Sequence, residues 1–141
     1  MKQDRNELLT QTGPNAGAGK ALRQYWIPAA LSDELEGERA IVPVKLMGED
    51  LVLFRTDQSE LGLIDRQCPH RGVDLCYGRL EDGGLRCPFH GWHFGTDGRC
   101  LEQPAEPADS KLHEQVKTTA YPVVEKNGII FAFMGKGEAP A

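Results

Sequence analysis

Two short segments of the sequence each combine a cysteine with a histidine. His70 follows Cys68 after one residue, and His90 follows Cys87 after two residues. Thiolate sulfur and imidazole nitrogen are side-chain donors that transition metals such as zinc and iron accept. A proline comes directly after each cysteine, where it fixes the backbone angle φ, removes a hydrogen-bond donor and stiffens the loop. The two segments therefore predict a metal centre with two sulfur and two nitrogen ligands.

The stretch between the two segments is 16 residues long, from 71 to 86, and contains turn signals at Tyr77-Gly78 and at residues 82–84. Such turns can bring two loops together at one end of a β scaffold. Zinc is one candidate metal, but structural zinc sites usually pair cysteine with cysteine and histidine with histidine, whereas each segment here is mixed. A cluster of two irons suits the mixed arrangement. If the cysteines bind one iron and the histidines bind the other, each loop holds both irons.

The second segment and its neighbours resemble a known family. Residues 87–94 (CPFHGWHF), Asp97-Gly98 and residues 104–107 (PAEP) are similar to the Rieske 2Fe–2S domain at the N-terminus of ring-hydroxylating oxygenase large subunits. Among these the sequence is most similar to the phthalate-dioxygenase-like branch. The similarity extends over nearly the whole chain through residues 25–28, 121–125 and 131–135. It implies a Rieske-type 2Fe–2S cluster whose ligands are the two cysteines and two histidines named above.

The resemblance also implies a range for the reduction potential. In this family two histidines replace two cysteines on one iron, so with neutral histidines the oxidised cluster and its thiolates sum to zero charge. A four-cysteine cluster carries two negative charges and accepts an electron less readily. Rieske potentials accordingly lie at about −150 to +300 mV, against about −400 mV for plant-type ferredoxins. Phe89 and Trp92 stand where respiratory Rieske proteins have a cysteine and a serine. Fewer donors to the sulfides predict a potential toward the bottom of the range.

Two residues beside these ligands are further candidates for the site. Arg71 is expected either to donate hydrogen bonds near the cluster or to steer a redox partner, with a plain solvated arginine as the alternative. Trp92 is expected to shield the cluster or to form part of a docking face, with ordinary core packing as the alternative. The remaining cysteines, Cys76 and Cys100, are interpreted as small buried side chains.

The turn-rich composition predicts an all-β fold. The chain has 16 glycines and 9 prolines in 141 residues, which favours turns and short strands over long helices. Short apolar segments at residues 40–47, 51–55 and 61–65 are separated by turn signals, and the pair Asn127-Gly128 is typical of a tight hairpin. We expect a Rieske-type antiparallel β-sandwich or partial barrel with a smaller cluster-binding subdomain formed by two loops.

The predicted organisation has three parts. Residues 1–22 form an N-terminal extension with at most one short helix near residues 6–10, followed by a loop. Residues 23–134 form the Rieske 2Fe–2S domain, with a turn at residues 48–50. Residues 102–118 are rich in proline and charge, and we interpret them as a long surface connection. Residues 135–141 are interpreted as a C-terminal linker.

The function implied by the resemblance is one-electron transfer within an aromatic ring-hydroxylating oxygenase. The donor would be a reductase or a ferredoxin, and the acceptor a mononuclear iron held by two histidines and a carboxylate. The other two histidines, His93 and His113, are 20 residues apart, so no such iron site and no catalytic residue are expected in this chain. Both are interpreted as surface or hydrogen-bonded structural residues. The alternatives are a free-standing Rieske-type ferredoxin and a zinc-stabilised interaction module.

Net charge and the distribution of apolar residues indicate which partners and which cellular location to expect. A formal net charge of −5 argues against nucleic acid as a partner. The longest apolar stretch is six residues, 129–134, whereas a membrane helix needs about 20, so no membrane span is expected. The N-terminus lacks the apolar segment of a secretory signal, which favours the cytoplasm. The aromatic substrate, the reductase and any oligomeric assembly stay open.

Overall fold

The computed structural model covers residues 1–141, and most of its regular structure is short antiparallel strands. The ten strands are β1 (Trp26–Leu31), β2 (Ile41–Leu46), β3 (Glu49–Arg55), β4 (Leu61–Asp65), β5 (Arg79–Glu81), β6 (Gly84–Arg86), β7 (His93–Phe94), β8 (Cys100–Glu102), β9 (Val123–Lys126) and β10 (Ile129–Phe133). Helices α1 (Gln3–Thr10) and α2 (Gly17–Leu22) precede the first strand. Short 3-10 helices lie at Ser32–Leu35, Leu75–Tyr77 and Leu112–Gln115.

The strands form three antiparallel sheets. Their orders are β1-β10-β9, β2-β3-β4 and β5-β6-β7-β8. The first two sheets pack together, and the third belongs to a smaller subdomain at one end. Pro43 lies in β2, an edge strand, where its missing N–H removes no bond from the middle of a sheet. The predicted all-β antiparallel fold is confirmed.

The middle sheet is buried on both faces, and this ties the smaller subdomain to the main body. Four consecutive side chains of β3 alternate between two apolar cores. Leu51 and Leu53 belong to the core shared with the first sheet, while Val52 and Phe54 belong to the core shared with the smaller subdomain. That second core also contains Leu75, Leu85, Phe94, Cys68, Cys87 and Cys100. The metal-binding cysteines predicted from sequence are therefore part of the hydrophobic core.

Tight two-residue turns close three of the hairpins. Asn127 and Gly128 both have positive φ, 54° and 79°, and connect β9 to β10, which confirms the predicted hairpin. Asp82 and Gly83 adopt the same conformation between β5 and β6.

The turn expected at residues 48–50 is shifted by one residue. Met47 and Gly48 form it, with φ of 49° and 79°, while Glu49 is already paired with Leu46 in the β2–β3 ladder. Two residues in the left-handed region are enough to reverse the chain, so β3 begins at Glu49 although Glu49 and Asp50 are polar.

The N-terminal region contains two helices where the sequence predicted one helix and a loop. Gly19 lies inside the second helix because its packing leaves no room for a side chain: a Cβ at Gly19 would lie 2.1 Å from the carbonyl oxygen of Gly13. Beyond α2, the buried guanidinium of Arg23 binds the Glu49 carboxylate at 2.8 Å and the Met47 carbonyl at 2.9 Å. The N-terminal residues are thereby fixed to the β2–β3 hairpin.

The segment predicted as a long connection is largely irregular. Its first residue, Glu102, still pairs with His93 at the end of β8, and one 3-10 turn occurs at Leu112–Gln115. Helices elsewhere in the chain are short, and none combines the length and apolarity required to cross a bilayer.

Candidate metal centre

The first cysteine–histidine segment forms a closed loop, residues 68–73, between β4 and β5. The backbone N–H of Cys68 donates to the carbonyl of Val73 at 2.8 Å, and the N–H of Gly72 donates to the carbonyl of Cys68 at 2.7 Å. Gly72 has φ of 70°, in the left-handed region that glycine adopts without strain. The two ends of the loop are therefore hydrogen-bonded to each other through the backbone of Cys68.

The second segment, residues 87–92, forms a loop with the same hydrogen bonds between β6 and β7. The N–H of Cys87 donates to the carbonyl of Trp92 at 2.8 Å, and the N–H of Gly91 donates to the carbonyl of Cys87 at 3.2 Å. Gly91 has φ of 74°. The two loops thus share one backbone turn, with cysteine at its first position and glycine at its fifth.

The shared turn explains why the two cysteine–histidine spacings differ. The third position holds His70 in the first loop and Phe89 in the second, while the fourth holds Arg71 in the first loop and His90 in the second. The histidines occupy non-equivalent positions, yet their rings meet with centroids 4.7 Å apart at an interplanar angle of 65°. Both rings are exposed at the tip of the subdomain.

The two thiols lie on the buried side of the same site. Cys68 and Cys87 are 2% and 3% exposed and belong to one apolar cluster. Burial, together with the neighbouring Cys87 thiol, raises the pKa of the Cys68 thiol to about 11. The backbone N–H groups of His70 and Arg71, near the Cys68 sulfur, oppose that rise. The sulfur of Cys68 therefore already has donors that would favour its ionised form.

Four aromatic rings run across the two loops. The indole of Trp92 stacks on the His70 imidazole with centroids 4.4 Å apart and planes 5° from parallel. Phe89 lies against His90 with centroids 3.8 Å apart. The pKa of His70 is lowered, first because neighbouring atoms displace part of the water around the exposed ring, and then by the charge of Arg71 and by the charge that His90 carries when protonated.

Both residues predicted to lie beside the ligands are at the site. Trp92 is half-buried and packs against the core as well as on His70, which combines the shielding and core-packing interpretations. Arg71 is exposed next to His70.

Sequence reasoning missed two arginines that hold the loops in place. Arg66 binds one carboxylate oxygen of Asp74 through Nε at 2.9 Å and Nη2 at 2.6 Å, across the base of the first loop. Arg86 donates to the carbonyl of Gly91 at 2.8 Å, across the base of the second. The one signal in the sequence that could have indicated Arg66 and Arg86 is that each comes one or two residues before a cysteine. Their hydrogen-bond partners come within reach only when each loop has folded into its turn.

The remaining cysteines and histidines lie outside the site. Cys76 and Cys100 are free, and burial raises the pKa of both thiols, that of Cys76 to about 11. His93 is buried, with its Nε2 2.9 Å from the carbonyl of Glu81. His113 is half-buried in the 3-10 turn at Leu112–Gln115.

The donor set suits two metals in separate positions. Sulfur donors lie on the buried side and nitrogen donors on the exposed side of two equivalent loops. Two thiols on the buried side and two imidazoles on the exposed side match the ligands of a binuclear cluster in which cysteines bind one iron and histidines bind the other.

Comparison with known families agrees with this geometry. The family model described as the Rieske [2Fe-2S] domain matches residues 25–127. The chain belongs to the Rieske family. Its cofactor is accordingly a Rieske-type 2Fe–2S cluster, as the resemblance predicted.

The relatives of this Rieske domain are oxygenase subunits. It is 45% identical over 135 residues to the oxygenase subunit of tert-butanol monooxygenase / tert-amyl alcohol desaturase of Aquincola tertiaricarbonis, covering 94% of this chain and 28% of that one. It is 42% identical to the phthalate 4,5-dioxygenase oxygenase subunit of Pseudomonas putida, covering 99% of this chain and 32% of that one.

A solved oxygenase–ferredoxin complex of carbazole 1,9a-dioxygenase has a similar structure, with a TM-score of 0.72. The match is 30% identical in sequence and covers 84% of this chain and 31% of that chain. The Rieske domain described here therefore spans about a third of the length of these relatives. The relationship to ring-hydroxylating oxygenases, phthalate dioxygenase among them, is confirmed. The ferredoxin and zinc-module alternatives are not favoured.

Proposed function

We propose that this domain transfers one electron at a time through a cluster bound by Cys68, His70, Cys87 and His90. The observation that carries the proposal is the pairing of two buried thiols with two exposed imidazoles on loops that share one backbone turn. When bound, the cluster supplies a one-electron redox centre of near-neutral charge. The zinc alternative is not favoured because the family model that matches residues 25–127 is that of a 2Fe–2S domain.

The sulfur side of the site is buried, whereas the imidazole side is exposed. The cysteines lie in an apolar core that excludes water from the sulfur side of the site. The imidazoles lie at the surface, which makes their side of the site the shortest route for an electron entering or leaving. Their free ring nitrogens can also bind or release a proton when the charge beside them changes.

The electron donor is proposed to be a reductase or a ferredoxin. The support is that the relatives are oxygenase subunits and that one solved neighbour is an oxygenase–ferredoxin complex. Arg71 and Phe89 are both exposed beside the histidines, and Phe89 is 58% exposed. A cationic and an apolar side chain at this rim suit an acidic redox protein with an apolar centre to its docking face.

The acceptor is proposed to be a mononuclear iron outside these 141 residues, in an aromatic ring-hydroxylating oxygenase. Hydroxylation would take place at that iron, and no residue of this domain is proposed to be catalytic.

Residues 23–134 are the proposed extent of the electron-transfer domain, with residues 1–22 as an extension and 135–141 as a linker. The Trp26 indole N–H donates a hydrogen bond to the carbonyl of Pro140 at 2.8 Å, so Pro140 lies beside β1. The four unpaired cysteines suit the reducing cytoplasm.

The test is metal content and electron paramagnetic resonance (EPR) of the protein purified without oxygen. We expect two irons and two acid-labile sulfides per chain, with a rhombic EPR signal that appears only on reduction. Cys87→Ser should lose the signal while Cys100→Ser keeps it, because both thiols are buried but only Cys87 is a proposed ligand. Bound zinc without iron, or an intact signal in Cys87→Ser, would contradict the proposal.

A further inference from the structure

The flattest aromatic contact in the molecule joins the two loops. Trp92 closes the second loop, and its indole covers the imidazole of His70 from the first loop, 5° from parallel at 4.4 Å between centroids. The same imidazole meets the edge of the His90 ring at 4.7 Å. The second loop therefore contacts the His70 ring with two of its own side chains.

The backbone of Trp92 is held on both sides. The Trp92 carbonyl accepts the hydrogen bond from the N–H of Cys87 at 2.8 Å, and the next residue, His93, is a buried member of β7. The turn that places the Cys87 sulfur thus also places the Trp92 ring. By contrast, the first loop leaves His70 exposed, and rotation of an imidazole about its outer torsion is intrinsically broad.

We propose that Trp92 is a positioning residue that sets the plane of the His70 imidazole and keeps water from one of its faces. This inference rests on the proposed role of His70 as a ligand. A ring stacked nearly parallel at this distance blocks the imidazole from turning out of plane, since a turned ring would enter the indole. Shielding one face also lowers the polarity around the site, which disfavours the more negative, reduced state.

The experiment compares Trp92→Leu and Trp92→Phe with Trp26→Leu as the matched control. Trp26 also packs against a ring, that of Phe133 at 5.8 Å and 53°, but far from the two loops in the β1-β10-β9 sheet. We expect Trp92→Leu to keep its iron and sulfide, to shift the EPR g-values and to raise the midpoint potential. The shift should be smaller in Trp92→Phe and absent in Trp26→Leu.

Identical g-values and potential in wild-type protein and an iron-loaded Trp92→Leu variant would overturn the proposal. If the leucine variant fails to bind iron, Trp92→Phe decides: a shift beyond that of Trp26→Leu supports the positioning role, and no shift overturns it.

A second arm needs no iron and separates this inference from the proposed function. In the apoprotein, nuclear magnetic resonance should show upfield-shifted ring protons of His70, which return toward ordinary values in Trp92→Leu but not in Trp26→Leu. If the apoprotein shows these shifts but the wild-type protein binds no iron–sulfur cluster on reconstitution, the stack is supported and the ligand assignment is contradicted. Ordinary His70 shifts in the wild-type apoprotein would overturn the stack itself.

Discussion

The guanidinium of Arg86 donates a hydrogen bond to the carbonyl of Gly91, 2.8 Å away, and so joins the end of the second loop to the strand that precedes it. Arg86 is only 8% exposed and also binds the carboxylates of Glu102, at 2.7 Å, and Glu81. Burial by itself lowers the pKa of Arg86, but the hydrogen bonds and charges of Glu102 and Glu81 outweigh it, so the pKa is raised. A single cation thus connects β6, the loop and β8.

Replacing Arg86 should loosen the second loop. Arg86→Met removes the donor to the Gly91 carbonyl, and a lost charge-assisted hydrogen bond in a buried setting costs about 1–3 kcal/mol of unfolding free energy. We also expect faster loss of iron to a chelator. Arg79→Met is the control, since Arg79 is on the same hairpin but largely exposed. Urea unfolding and chelation rates measure both effects, and equal behaviour of the two variants would refute the bracing role.

The two loop glycines should differ in their tolerance of alanine. Gly72 and Gly91 both have positive φ, so each substitution costs about 1–2 kcal/mol from backbone strain. An added Cβ at Gly91 would also lie 3.2 Å from Cγ of Pro104, whereas nothing lies within 4 Å of one at Gly72. Gly91→Ala should therefore be the less stable variant in urea. An equal loss, or the reverse order, would show that the Pro104 contact does not constrain the loop.

Exchanging one imidazole for a thiolate should lower the reduction potential. His90→Cys adds a negative charge to the proposed ligand set, which moves its potential toward the plant-type value of about −400 mV. His113→Cys introduces the same residue away from the site and should leave the potential unchanged. Redox titration followed by EPR gives both values. An unchanged or higher potential in an intact His90→Cys cluster would argue against His90 as a ligand.

The ion pair at the base of the first loop should make stability depend on pH. The hydrogen bond from Arg66 lowers the pKa of Asp74, so the pair stabilises the fold above the ordinary carboxyl pKa of about 3.9 and is lost as pH falls through the lower folded value. Asp74→Asn should be less stable than wild type at pH 7, and the gap should close below about pH 4. Asp97→Asn, whose partner Arg99 is exposed, serves as control. A gap that persists unchanged in acid would rule out the charge as its cause.

The metal centre and the all-β fold class could be predicted from residue types and their spacing. Cys68, His70, Cys87 and His90 and the turn residues around them are local features of the sequence. Their types and spacing predicted a metal centre, and the resemblance of the surrounding residues to the Rieske family implied a 2Fe–2S cluster. The hairpin at Asn127-Gly128 followed for the same reason, because two residues with positive φ define that turn without help from the rest of the chain.

The residues that support the site could be identified only in the folded chain. The stack of Trp92 on His70, the hydrogen bond from Arg86 to Gly91 and the two-sided burial of β3 all join segments that are distant in sequence or separated by a turn. The second N-terminal helix was missed because close packing at Gly19 outweighed its low helix propensity. Such contacts depend on where the chain places its partners in space, and residue type and spacing along the sequence do not contain that information.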